Sequence, residues 1–255
     1  MLLLKMTLVP LFLWLITWIG RRFGPSTAGW LAGLPLVTGP ILFLLALEYG
    51  AAFAERAATG ALTGVFASMA FTSSYARLAQ SRPWFSTLGL SMTIWTAATV
   101  GLAQLDAGLA LSAAIALGSL LAAPALFPRV KAPSAATAVT RLDLVVRMAA
   151  GAGLTLVVTG MAPWAGVRLS GLLAVFPVLS VVLSVATHRT NGAAFTATLL
   201  RALAGGMYAF TAFCVAVAIA LPRLPIGWAF LVAIAVCLTV QALSGMARTW
   251  WPRST

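Results

Sequence analysis

Residues 33–40 read GLPLVTGP. Two glycines and two prolines fall within these eight residues, in the middle of an apolar stretch running from Ala28 to Leu47. Proline lacks an amide hydrogen and clashes with the preceding turn, so it interrupts a helix interior. Helix breakers at the centre of an apolar run need a reason, and the rest of the chain supplies it.

The chain has 255 residues, 62% hydrophobic and only 8% charged. A soluble domain carries about 25% charged residues. Apolar stretches of about 20 residues recur along the whole length, enough to cross a hydrocarbon core at helical rise. The class read from this is an all-α polytopic membrane protein whose main partner is the lipid bilayer. No polar segment is long enough to fold a soluble domain. Nine spans are expected near 3–20, 28–48, 53–76, 84–104, 107–127, 143–162, 168–187, 193–220 and 226–247, with the polar segment 128–141 as linker. The opening run MLLLKMTLVPLFLWLITWIG lacks a small-x-small cleavage site, and Arg21-Arg22 follow it, so it reads as a first span and not a signal peptide.

The net charge of +12 marks membrane orientation here, not nucleic-acid binding. With nine spans, one face receives Arg21, Arg22, Arg77, Arg82, Arg129, Lys131, Arg141, Arg147, Arg189, Arg248 and Arg253. The other receives Lys5, Arg56, Arg168 and Arg223, while Arg201 falls inside a span. The positive-inside rule then places the N-terminus out and the C-terminus in. Three of the four acids, Glu48, Glu55 and Asp106, belong to the outer face. Most tryptophans (Trp14, Trp18, Trp30, Trp84, Trp164, Trp228, Trp250, Trp251) fall near span ends, as an aromatic belt would.

The chain also matches itself at one constant offset of 142 residues. Gly24, Gly29, Pro35, Gly50, Phe53, Gly64, Phe71 and Pro83 meet Gly166, Gly171, Pro177, Gly192, Phe195, Gly206, Phe213 and Pro225. The offset pairs spans 1–4 with spans 6–9 and leaves span 5 alone. Five steps separate span 1 from span 6, so the halves enter the membrane from opposite sides. The expected architecture is a 4+1+4 inverted-topology repeat: residues 1–105, a linking helix and cytoplasmic linker at 106–141, and residues 142–255. Inverted repeats are frequent in secondary transporters, whose sites lie at the midplane where broken helices meet.

GLPLVTGP then has a counterpart, VFPVLSVV at 175–182. Each half carries a proline followed three residues later by a hydroxyl: Pro35 and Thr38, Pro177 and Ser180. The first copy adds Gly39-Pro40 where the second has Val181-Val182, so it is expected to be the more broken. Backbone freed by such breaks cannot face lipid and must face protein or a wet cavity.

The run LSGLLAVFPVLSVVLSVATHRTNGAAFTATLLRALAGGMYAF, from Leu169 to Phe210, resembles GlpM and related small four-span membrane proteins. LAGLPLVTGP, from Leu31, resembles a second variety of the same proteins. The resemblance covers spans 1–3 of each half, spans 4 and 9 weakly, and not span 5. It implies a fused tandem in a bacterial inner membrane and names no substrate.

Two function classes follow. One is a secondary transporter of a small or amphipathic solute, with Pro35, Thr38, Gly39, Pro40, Pro177, Ser180 and the intramembrane Arg201 as substrate-binding candidates, and Glu48 and Glu55 as coupling candidates. The other is an accessory protein that packs on another membrane complex through small-residue faces such as Gly60/Gly64 and Gly205/Gly206. A second copy of the chain is a further candidate partner. His188, Gln104, Asn191 and Gln241 are additional polar candidates. No enzyme constellation is visible: there is no paired carboxylate, no His/Cys cluster, no Walker pattern, and Cys214 and Cys237 sit singly in apolar spans. No cofactor is expected.

Overall fold

A computed structural model describes residues 2–105, 107–131, 140–161 and 176–250. Expectations for Asp106, the linker at 132–139, Trp164, Gly166, Arg168, Gly171, the opening of span 7 and Trp251 lie outside these residues. The protein is all-helical, and the described residues form nine helices: α1 (Leu2–Phe23), α2 (Pro25–Ala32), α3 (Thr38–Tyr49), α4 (Ala51–Leu78), α5 (Trp84–Leu102), α6 (Leu109–Leu126), α7 (Arg141–Met161), α8 (Val178–Ala220) and α9 (Ile226–Trp250).

Four of them, α5, α6, α8 and α9 up to Gly245, are long and apolar enough to cross a membrane. The α5, α6 and α9 helices turn large apolar side chains outward: Phe85 is 62% exposed, Leu121 71% and Trp228 65%. Apolar surface on that scale needs lipid, or a partner, against it. The α8 helix has 43 residues, a length of roughly 65 Å at 1.5 Å per residue, about twice a hydrocarbon core. It bends at Gly192 into two arms.

The core lies along α4 and the second arm of α8, which pack together. On α4, Ala54, Ala58, Leu62, Val65, Met69, Phe71, Tyr75 and Ala76 are buried. Its Thr72 and Ser73 donate to backbone carbonyls four residues back (Ser68, 2.8 Å; Met69, 2.7 Å), so their hydroxyls need no outside partner.

Three glycines make the corners. Gly24 (φ 84°, ψ 170°), Gly50 (φ 86°, ψ 166°) and Gly192 (φ 82°, ψ 177°) occupy backbone space that is essentially glycine's alone. Gly50 shows the device in full. Its N–H donates to Ala46, closing α3, and its carbonyl accepts from Ala54, opening α4. One residue therefore turns the chain without leaving a helix end unsatisfied.

Helix ends elsewhere are also tied down. Thr140 and Asp143 form a capping box ahead of α7, the Asp143 N–H donating to Thr140 Oγ1 (3.1 Å) and the Thr140 N–H to Asp143 Oδ2 (3.3 Å). Arg77, at the end of α4, donates to the Ala125 and Leu126 carbonyls that close α6.

Gly39-Pro40 does not extend the break in the first half, contrary to the sequence expectation. Both residues lie in the first turn of α3, where a proline's missing N–H would have had no intrahelical partner anyway.

Candidate functional site

The interruption in GLPLVTGP falls at 33–37, between α2 and α3. At its centre the Leu36 N–H donates to the Leu34 carbonyl (2.8 Å), a three-residue turn around Pro35. The Pro35 carbonyl accepts from the Gly39 N–H (2.8 Å) and starts the next helix. The second half repeats both bonds. The Val178 N–H donates to Phe176 (2.9 Å) around Pro177, and the Pro177 carbonyl accepts from Val181 (2.9 Å). Pro177 has φ −83° and ψ 62°, the angles of an inverse γ-turn, which proline's fixed φ favours. Every residue in the second set is its first-half counterpart plus 142.

Thr38 opens α3 and is half-buried, while Ser180 is buried in the first turn of α8. Aromatic rings pack around both breaks. A side chain at Gly39 would touch the Phe213 ring at 3.5 Å, and Phe43 and Phe213 both stack edgewise on Phe230. Phe176 stands edgewise to Trp95, 5.2 Å between ring centres. Pro40 is exposed.

The α2 helix lies directly on the second arm of α8, backbone against backbone. A Cβ at Gly29 would sit 2.0 Å from the Leu199 carbonyl oxygen, and one at Gly206 would sit 2.2 Å from that of Trp30. Gly33 faces Gly206 across the same crossing. Of the small-residue faces expected to pack within the chain or against a partner, Gly206 packs within the chain, while Gly60 and Gly205 face open space. From the far side, α9 grips Trp30. The Trp30 Nε1–H donates to Ser244 Oγ (3.0 Å), and Gln241 Nε2 donates to the Trp30 carbonyl (3.1 Å). These bonds fix Trp30 between helices, where sequence position alone read it as an interfacial anchor.

A separate cavity of ≈ 20 Å³ lies where α1, α2, α7 and the bend of α8 meet. That volume holds about one water molecule. Ile16, Thr17, Gly20 and Arg21 of α1 line it, with Ala28, Arg147, Leu183, Thr187, Asn191, Phe195 and Leu199. Arg147 is only 5% exposed. Its guanidinium donates to Thr190 Oγ1 (2.9 Å), which in turn donates to Asn191 Oδ1 (2.7 Å). Two buried polar atoms at the cavity, Thr17 Oγ1 and Asn191 Nδ2, have no hydrogen-bond partner. Thr187 Oγ1 and Thr196 Oγ1 join across the Gly192 bend at 3.0 Å.

The breaks and the cavity bring together only part of the expected set. Arg201 is partly buried in the second arm of α8 and does not line the cavity. Glu48 is exposed at the end of α3, and Glu55 is partly buried in the first turns of α4. His188 Nδ1 lies 3.4 Å from the Tyr75 hydroxyl, a contact between α8 and α4. No group of three or more His, Cys, Asp or Glu that could hold a metal occurs among the described residues. Arg147 is the residue that sequence reasoning missed. It counts as one of many cytoplasmic-side cations until its burial is seen. The available signal was an arginine two turns inside an apolar helix.

Comparison with protein-family models, curated proteins and solved structures finds no match for this chain.

Proposed function

We propose that this chain is a secondary transporter of a bacterial inner membrane, carrying a small or amphipathic solute by alternating access between two inverted four-helix repeats. The fold would be a fused tandem of GlpM-like units, N-terminus out and C-terminus in. The observation that carries this reading is the pair of matched three-residue turns at Pro35 and Pro177, each followed by a hydroxyl-bearing first helical turn. Two further observations support it. Gly50 and Gly192 share one backbone conformation. Where α1 crosses α7, a Cβ at Gly151 would sit 2.3 Å from Leu13 and 3.2 Å from Val9, and Val9 is the counterpart of Gly151 at the 142-residue offset.

The physical argument runs through the breaks. Two halves of one design can exchange conformations at small free-energy difference, which turns an inward-open state into an outward-open one. Each exchange needs a hinge in a packed helix. The turn at Pro35 interrupts helical hydrogen bonding between α2 and α3, and Pro177 makes the same turn ahead of α8, so both are placed as hinges. Thr38 and Ser180 place a hydroxyl next to each hinge, where solute would be held, with Arg201 further along α8 and Glu48 and Glu55 as coupling groups.

The test replaces Cys214 and Cys237, both free and buried, and introduces single cysteines at Thr38 and Ser180. A membrane-impermeant thiol reagent is then applied from one side and from the other. Labelling of each position from both sides supports alternating access. No labelling from either side, with loop controls reacting, would leave two dry kinks and favour the accessory-protein reading.

A further inference from the structure

The strongest unassigned feature is the cavity around Arg147. A buried cation is expensive unless an opposite charge meets it. The chain has only four acids. Glu48, Glu55 and Asp106 belong to the opposite face of the expected topology. Asp143, one turn before Arg147, acts on it electrostatically and favours its charge, with its own carboxylate held at the capping box of Thr140 and away from the cavity lining. Thr190 gives Arg147 a hydroxyl dipole and no countercharge.

The cavity supplies a second, independent signal. Thr17 is 7% exposed, lines the cavity, and its hydroxyl has no partner. The Asn191 amide nitrogen is likewise unpartnered at the same cavity. A buried donor without a partner loses its hydration for nothing, which natural proteins rarely tolerate without a ligand or water. Arg147, Thr17 and Asn191 bring a guanidinium, a hydroxyl and an amide to the lining of one cavity, and each can donate a hydrogen bond. Arg21 adds a second cation to the lining. Two cations with further donors beside them favour an oxyanion, and the guanidinium fork matches carboxylate or phosphate oxygens.

We propose that this cavity takes up one oxygen of the carboxylate or phosphate group of an anionic ligand, the rest of the group lying at its mouth, with Arg147 and Arg21 supplying positive charge and Thr17 and Asn191 as hydrogen-bond donors. The site stands on buried charge and not on transport. Equilibrium binding tests it, so its failure leaves alternating access untouched, and the reverse holds too.

The experiment uses the full chain purified in a neutral maltoside detergent. Thermal unfolding is followed while sodium phosphate or sodium acetate is titrated against sodium chloride at constant ionic strength. The same chain is also placed in nanodiscs of phosphatidylcholine with and without phosphatidylglycerol. The expected result is a saturable rise in midpoint with at least one of these anions. Arg147→Gln should abolish it. Thr17→Val, which removes a hydroxyl that bonds to nothing in the free protein and so should fold, should weaken it about tenfold. Arg82→Gln, an exposed arginine elsewhere, should leave it unchanged. A response to phosphate or acetate assigns a soluble ligand, and a response to phosphatidylglycerol alone assigns a lipid headgroup. No saturable response to any of them, or a Thr17→Val protein that responds as the wild type does, overturns the site.

Discussion

The corners at Gly50 and Gly192 have the same backbone and different chemistry. Their φ and ψ agree within about ten degrees, 86° and 166° against 82° and 177°. Yet the residues before Gly50, Glu48 and Tyr49, are exposed, while Thr190 and Asn191 before Gly192 turn partly inward and join Arg147 at a cavity. Backbone geometry at both corners is held by angles that only glycine adopts readily. The side chains around them are not so constrained. Exposed residues precede Gly50, while a buried cation lies beside the residues before Gly192.

The comparison can be broken in several ways. The largest effect should come from the crossing that holds both halves in one body. Gly206→Val would drive a side chain into the Trp30 carbonyl, 2.2 Å from the Cβ position. Overpacking of this kind should cost about 1–3 kcal/mol, read as a lower thermal midpoint in detergent. Gly205→Val, facing open space, should change stability by less than about 0.5 kcal/mol. Equal losses would mean that the crossing does not hold the halves together.

The corners come next. Gly50→Ala and Gly192→Ala should each lose about 1–3 kcal/mol, because alanine is strained at these angles, and both glycines have room around them so that sterics add nothing. The two losses should match. A corner that tolerates alanine would show that the shared geometry is incidental there.

Smaller still is the effect at the cap on α7. Thr140→Ala should cost about 1 kcal/mol, detectable as faster amide exchange in the first turns of α7 with α1 unaffected. The smallest effect should be at the plain corner. Glu48→Gln, at an exposed helix end, should shift stability by less than about 0.5 kcal/mol. A large shift would give that corner a buried role it does not show here.

Sequence and structure agree where the physics is local or periodic. Pro35 and Pro177 announce their breaks because proline has no N–H wherever it sits. Gly50 and Gly192 mark helix junctions that fall between expected spans. Gly39-Pro40 misled, because proline in a first helical turn costs little and the sequence does not say where the turn begins. The bonding of Trp30 was not legible for a different reason. Its place between α2 and α9 depends on Gln241 and Ser244, more than 200 residues away, and no local pattern encodes that meeting. Arg147 was counted among the side-marking cations and not recognised as buried. Its surroundings come from α1 and α8, and only their packing makes Thr17, Asn191 and Arg147 neighbours of one cavity.

The most direct test of the central claim is the sidedness of the two corners. Single cysteines at Tyr49 and Arg189, both exposed, would be labelled in intact cells with an impermeant thiol reagent and again after the membrane is opened. Inverted repeats predict that Tyr49 reacts from outside and that Arg189 reacts only once the inner face is reached. Labelling of both from the same side would contradict the inverted repeat and, with it, alternating access between the two halves.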